Sequence, residues 1–291
     1  MRLRYHFFSL TIILALYLAI LVPFTDSMRH KPVLEKLGII PRAEVLQYLS
    51  ADQKQLVAAS VISKVIMYYG GLFSDGSTLF RQPPDFLAMS RTIHAALKVD
   101  PYNMDGYYFA QAILAWDVQQ YKIANDLLEY GMKYRTWDWS LPYYAGFNYA
   151  FFLKDYRKAA QMYMRAGELS GNQSTMSLAG RYLQQSGQTE MAIAYLSAME
   201  KGARDPAIRK SFQIRLQAFR EVLEVEKARD RFKAERGAPP GSIGQLVAAG
   251  YLERPPVDPY GGTFYLESDG AVATTSKFSV AGAEQARKKG K

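Results

Sequence analysis

The chain has 291 residues, no cysteine, 49% apolar and 22% charged side chains, and a net charge of +9. That composition excludes a disordered chain, a collagen-like repeat and a polytopic membrane protein, and the missing thiols exclude a disulfide scaffold, thiolate metal sites and a cysteine nucleophile. The charge excess lies at the ends: residues 1–50 carry six basic and three acidic side chains, residues 51–200 thirteen of each, and residues 201–291 seventeen basic and eleven acidic. A neutral middle does not make the basic face that a nucleic-acid binder needs, so no nucleic acid is expected as a partner.

In chain order, the first element is an uncharged run, Phe7 to Phe24, preceded by Arg2 and Arg4. Eighteen helical residues at about 1.5 Å each nearly match the roughly 30 Å hydrocarbon core of a bilayer. A cleavable signal peptide shares the basic start, but the run is longer than a usual signal core and no small-x-small site follows it. Residues 1–25 are therefore read as an uncleaved transmembrane signal anchor that contacts the lipid bilayer through residues 7–24. The bulk of the chain is placed on the periplasmic or extracytoplasmic side of the inner membrane. Residues 26–50 are expected to be a linker, with a short helix from about Pro32 to Leu49. Ser50 and Asp52 are positioned to cap a longer helix ending near Gly70-Gly71, and Ser74 through Pro84 reads as a loop.

From Asp85 to about residue 206 apolar residues recur three and four apart, with turn signals every fifteen to twenty residues. The segments YKIANDLLEYG, YRKAAQMYMRA and TEMAIAYLSAM align. Tyr121, Tyr156 and Thr189 coincide, then Ala124, Ala159 and Ala192, then Leu128, Tyr163 and Leu196, then Gly131, Ala166 and Met199. Upstream, Ala112, Phe147 and Gly180 correspond, followed by Ala115, Ala150 and Leu183. Spacings of 35 and 33 residues resemble the tetratricopeptide (TPR) family, whose unit is two antiparallel helices over about 34 residues. The resemblance covers about residues 51–206; it lacks most of the first-helix Trp-Leu-Gly signature and two of the closing prolines. It implies a helical solenoid whose first helices line a concave face. Carried residue by residue, that face holds Phe109, Ile113 and Trp116, then Tyr144, Asn148 and Phe151, then Ser177, Arg181 and Gln184. These nine are the candidate partner-binding residues, suited to an extended or helical peptide. The alternative is that N-terminal helices fill the groove. The 21 tyrosines are read mainly as core, as at Tyr163 and Tyr195.

Asp205-Pro206 opens a long helix from about Ala207 to Arg236, on which Glu221, Glu224, Glu226, Lys227, Arg229 and Arg231 read as a solvated, ion-paired face and Phe212, Leu216, Phe219, Leu223 and Phe232 as an apolar one. Beyond it come Gly237, Pro240, Leu246, Tyr251, Leu252, Pro256, Asp258, Pro259, Gly261 and Tyr265. This pattern, with Arg231 and Phe232, resembles the globular end of the type II secretion major pseudopilin. It implies a small α+β module over residues 207–280, with strands at Thr263–Leu266 and Ala271–Thr275 around an Asp269-Gly270 turn. The prepilin-peptidase site, the glutamate within the apolar run and the calcium loop of pseudopilins are absent from the sequence, so a filament subunit is not expected. Residues 281–291 read as a basic disordered tail.

His6, His30 and His94 have no metal-ligand spacing, and no phosphate loop, nucleophile elbow or zinc-protease helix occurs. Ser242 reads as a helix cap, Asp258 and Asp269 as turn residues, and the Asn172 sequon as a cap. The fold is expected to be mainly α: a transmembrane helix, a TPR-like solenoid and a small α+β module with an antiparallel hairpin. No enzyme, cofactor, metal or small-molecule substrate is expected. The function expected is a protein-binding scaffold of the bacterial cell envelope, with protein partners from the envelope or secretion machinery. The alternative is an accessory component of a type II secretion or type IV pilus-like machine, recruited through the C-terminal module.

Overall fold

The structure, a computed structural model, describes residues 2–30, 37–73 and 83–279. Helices dominate: α1 (Arg2–His30), α2 (Ala43–Ser50), α3 (Lys54–Gly70), α4 (Phe86–Val99) and α5 (Met104–Ala112), which runs into a π-helical turn at Ile113–Asp117. There follow α6 (Tyr121–Met132), α7 (Ser140–Phe151), α8 (Tyr156–Ser170), α9 (Gln173–Gln185), α10 (Thr189–Gly202), α11 (Pro206–Arg236) and α12 (Ile243–Ala248). The strands β1 (Phe264–Leu266) and β2 (Val272–Thr274) pair antiparallel, with Tyr265 opposite Ala273. The mainly helical class and the C-terminal hairpin match expectation. Within α1, Leu10–Ser27 has mean hydropathy 1.9 and is long and apolar enough to cross a membrane. Most of the loop expected at 74–84 and the tail at 281–291 lie outside the described residues.

Among the described linker residues, the helix begins at Ala43. Gly38 takes a left-handed φ of 62°, and Arg42, just after Pro41, is extended, so the described residues before Ala43 are not helical. Residues 31–36 lie outside the described residues.

Compactness divides the chain after Gln120, within the stretch read as repeats. In the first unit α3 packs on α4, and Ile62, Val65, Met89, Ile93 and Tyr107 are buried. Asp85 caps α4 by accepting from the Ala88 amide at 2.9 Å, and Asn103 caps α5 by accepting from the Gly106 amide at 2.9 Å. A Cβ on Gly106 would stand 2.8 Å from Leu97 Cδ2, so glycine is what lets α5 approach α4.

In the second unit each helix from α6 to α11 packs on the next in the chain. The aligned Ala124, Ala159 and Ala192 are all buried, as are Leu128, Tyr163 and Leu196 one turn later. Small faces large across each pair: Gly146 of α7 lies against the Tyr163 ring, and Gly180 of α9 against Leu196 of α10. Asp155 and Asn172 cap α8 and α9, accepting from Lys158 and Thr175 amides at 3.0 and 3.2 Å. The cap accounts for Asn172 as read from sequence.

Helix α11 is amphipathic as expected, with Glu224, Lys227 and Arg231 exposed, but its charged face is not wholly solvated. Glu221 is buried and takes both Arg254 guanidinium nitrogens, at 2.7 and 3.3 Å, together with the Val257 amide at 3.0 Å. Arg229 donates to the Gly270 carbonyl at 2.7 Å and Arg231 to that of Tyr251 at 3.1 Å. The physical reason is that the preceding helices and the hairpin both pack on parts of this 31-residue helix. Leu183 and Leu196 from the repeats, Phe212 and Phe219 from α11, and Phe264 and Val272 from the hairpin belong to one core. No break in packing therefore falls at residue 206.

Ser242 caps α12 through the Gln245 amide at 3.2 Å, as expected. Asp269 is a turn residue, accepting from the Ala271 amide at 2.9 Å. Asp258 is more than one. Its carboxylate is buried and accepts from the Tyr260 amide at 2.9 Å, from Ser276 Oγ at 2.5 Å and from Thr274 Oγ1, tying the proline-rich loop to β2.

Candidate functional site

The nine candidate residues do not all reach a surface. In the first unit Phe109 is half-buried, edge-on to Tyr69 at 5.8 Å between centroids, and Ile113 is buried in the π-helical turn. Trp116, in the same turn, is 55% exposed. The turn is held in part by Tyr69, whose hydroxyl donates to Asp117 at 2.6 Å; burial first, then this bond, pushes the Tyr69 ionisation well above the usual phenol range.

In the second unit Asn148 is fully buried, with Nδ2 donating to Asn125 Oδ1 at 2.9 Å; it joins α7 to α6 and is not presented to a partner. A buried amide needs a partner, and the helix packing supplies one where the family pattern implies an open groove. Tyr144 is half-buried beside Tyr143, and Phe151 is 54% exposed, stacked on Phe147 with the Lys154 ammonium 5.3 Å above its ring. Ser177 is half-buried, and its carbonyl accepts from Arg215 at 3.3 Å. Among the described tyrosines only Tyr68, Tyr107, Tyr149 and Tyr163 are buried, and most of the rest are half-buried, Tyr195 included, so fewer are core than expected. Tyr163 is buried between Tyr143 and Tyr182, at 5.6 and 5.4 Å, and burial raises its pKa above the usual phenol range. Burial likewise pushes Tyr195 up to about 12.

Arg181 and Gln184 occupy a different setting. They line a cleft of about 950 Å³, to which α9, the start of α10, α11 and the β1–β2 hairpin all contribute residues. Gln184 is itself largely buried, while the buried Nε of Arg181 finds no acceptor among the described residues. The cleft also exposes Tyr265 from β1 and is bordered by Tyr156, which stacks on Tyr182 at 5.9 Å. Its charges are mixed. Lys227 pairs with Glu190 at 2.9 Å across the α10–α11 junction, and Arg229 pairs with Asp230 at 2.8 Å. Glu226 takes a hydrogen bond from Thr189 Oγ1 at 3.0 Å. Burial raises its pKa above the usual carboxylate range, the Thr189 bond and Arg229 oppose that rise, and Asp230 and Glu190 add to it.

The sequence reading missed the part of this cleft that α11 supplies. Glu226 sits four residues after the buried Val222, so helical spacing places it on a packed face and offered the signal; alternating charge along α11 hid it. The arrangement suits recognition of a polar, extended segment: aromatic rings for contact, mixed charge for selection, and an arginine nitrogen awaiting an acceptor. Among the described residues no group of three or more His, Asp or Glu side chains is placed to hold a metal ion. His94 is half-buried on α4, its Nδ1 2.8 Å from the Ser90 carbonyl.

No family model and no curated protein matches the sequence. Among solved structures, the chain is similar to one described as the crystal structure of YrrB, a TPR protein with an unusual peptide-binding site. The identity is 17%, the match covers 72% of this chain and all of that one, and the TM-score is 0.38.

Proposed function

We propose that this chain is a membrane-anchored, non-enzymatic scaffold that holds a protein partner in the bacterial cell envelope. In this reading α1 is a single-pass anchor in the inner membrane, the remainder lies on the periplasmic side, and a TPR-like array supplies the binding surface. The observation that carries it is the cleft between the last repeat and the hairpin, where Arg181 carries a buried donor with no acceptor among the described residues. Exposed Trp116 and Phe151 add aromatic contact area of the kind that dominates interface energetics. An extended segment of a partner protein is the ligand class that fits.

The test is photo-crosslinking in cells, with the reactive residue placed at Arg181, at Trp116, at Val257 on the exposed side of the module, and at Ala238 as a bystander. Protein adducts at the first two sites and not at Ala238 support a repeat-centred scaffold. Adducts confined to Val257 favour recruitment through the C-terminal module into a secretion or pilus-like machine. Equal labelling at all four sites refutes both. In the supporting case Arg181→Ala and Trp116→Ala each weaken capture by about 1–3 kcal/mol.

A further inference from the structure

Helix α2 carries apolar residues on two opposite sides. Its inner side is accounted for: Ala43 and Ser50 are buried, Leu46 is half-buried, Gln47 Nε2 donates to the Lys98 carbonyl at 2.6 Å, and the helix packs on α3 and α4. The other side presents Val45, Tyr48 and Leu49 at 47, 86 and 70% exposure, a helical triple at i, i+3 and i+4. Ile39, just upstream, is 97% exposed, and Leu56 at the start of α3 is exposed as well. Scattered apolar residues on a surface need no explanation, but three on one face of an eight-residue helix, flanked by two more, do.

What covers this face follows from where it lies along the chain. The apolar window of α1 ends at Ser27, and twelve residue-to-residue steps lead from Ser27 to Ile39. At no more than about 3.5 Å per residue they span roughly 40 Å when fully extended. If α1 crosses a bilayer, the face is tethered within that distance of the membrane surface, at a high effective concentration. Its chemistry matches that surface: a tyrosine among aliphatic side chains, with Arg29, Lys31 and Arg42 nearby in sequence to meet anionic headgroups. Glu44 and Asp52 are also exposed at its edge, so selection by charge is modest.

We propose that the Val45–Tyr48–Leu49 face of α2 lies in the headgroup region of the bilayer that holds α1, as an interfacial helix that fixes the first unit against the membrane. This rests on reading α1 as a membrane span. A lipid surface, not a protein partner, is the occupant.

The absence of cysteine makes single-site labelling clean. Full-length protein in vesicles of phosphatidylethanolamine and phosphatidylglycerol carries an environment-sensitive fluorophore at Tyr48→Cys, at Glu44→Cys, which leaves the apolar triple intact, or at Ala238→Cys. The expected result is at least twofold stronger quenching by headgroup-proximal nitroxide lipid at residues 44 and 48 than at 238, with at least twofold weaker quenching by aqueous iodide. Quenching by iodide at residue 48 as strong as at 238 overturns the proposal. So does shielding from iodide and nitroxide lipid alike, which means that a protein covers the face. Carbonate extraction of the same vesicles separates the two claims: release of the chain refutes the anchor and with it the proposal. Retention with an aqueous label refutes the interfacial helix alone.

Discussion

Gly180 offers a test of the repeat packing in which the sign of the effect is the evidence. In an isolated helix, glycine to alanine is stabilising by about 0.8–1 kcal/mol. Here a methyl at residue 180 would stand 2.9 Å from Cγ and both Cδ atoms of Leu196, against an ordinary carbon contact of about 3.5–4.0 Å. Leu196 is fully buried in the core shared by α9, α10 and α11, so it has no open side to move into. Overpacking of this kind costs about 1–3 kcal/mol. Subtracting the helix term leaves Gly180→Ala destabilising by up to about 2 kcal/mol. Gly202 near the end of α10 provides the control: nothing lies within 4 Å of its hypothetical Cβ, so Gly202→Ala should be neutral or mildly stabilising. Urea midpoints of both variants in detergent, followed by far-UV circular dichroism, measure the difference, and each kcal/mol corresponds to about 2–4 °C in Tm at this size. Adding Leu196→Val should recover part of the Gly180→Ala loss but none of any Gly202→Ala effect. If Gly180→Ala stabilises as much as Gly202→Ala, the close approach of α9 and α10 is not what glycine serves there.

Asp258→Ala should destabilise the C-terminal module by about 2–4 kcal/mol, since the Tyr260 amide and the Ser276 and Thr274 hydroxyls lose a buried acceptor together. Limited proteolysis should then cut first between residues 255 and 279; unchanged resistance would reduce Asp258 to a turn residue. Glu221→Ala should cost about 1–3 kcal/mol by stranding the Val257 amide, and chemical denaturation of the variant checks it. Glu226 carries a pH signature. Its pKa is raised on folding, so the folded state holds the proton more tightly and the contribution, full below the unfolded pKa, is lost as pH rises through the folded value. Glu226→Gln should therefore match the parent chain in acid and exceed it in stability at neutral pH. Denaturation midpoints that differ by the same amount at pH 4 and pH 7 would contradict this.

Much of the architecture was legible without coordinates because it rests on local rules. The apolar length of α1, the caps at Asn172, Asp205 and Ser242, and the Asp269-Gly270 turn each depend on a few neighbouring residues, although the cap read at Ser50 and Asp52 fails, since α3 begins behind Gln53 with no side-chain cap. The aligned alanines marked packing positions because close helix approach admits only small side chains at such spacing. The candidate face was less legible. Nothing local distinguishes Asn148, buried against Asn125 from another helix, from an exposed asparagine at the same slot. The same holds for Glu221 and Glu226, whose charge pattern along α11 reads as solvent-facing until the module and the last repeat pack on parts of it. The residues of this chain thus determined where helices begin, end and come close. Which polar groups were desolvated, and that Arg181 would share a cleft with a hairpin more than eighty residues further on, was decided only when segments distant in sequence were packed together. Burial is a property of what lies opposite a residue, and the linear chain does not name its opposite.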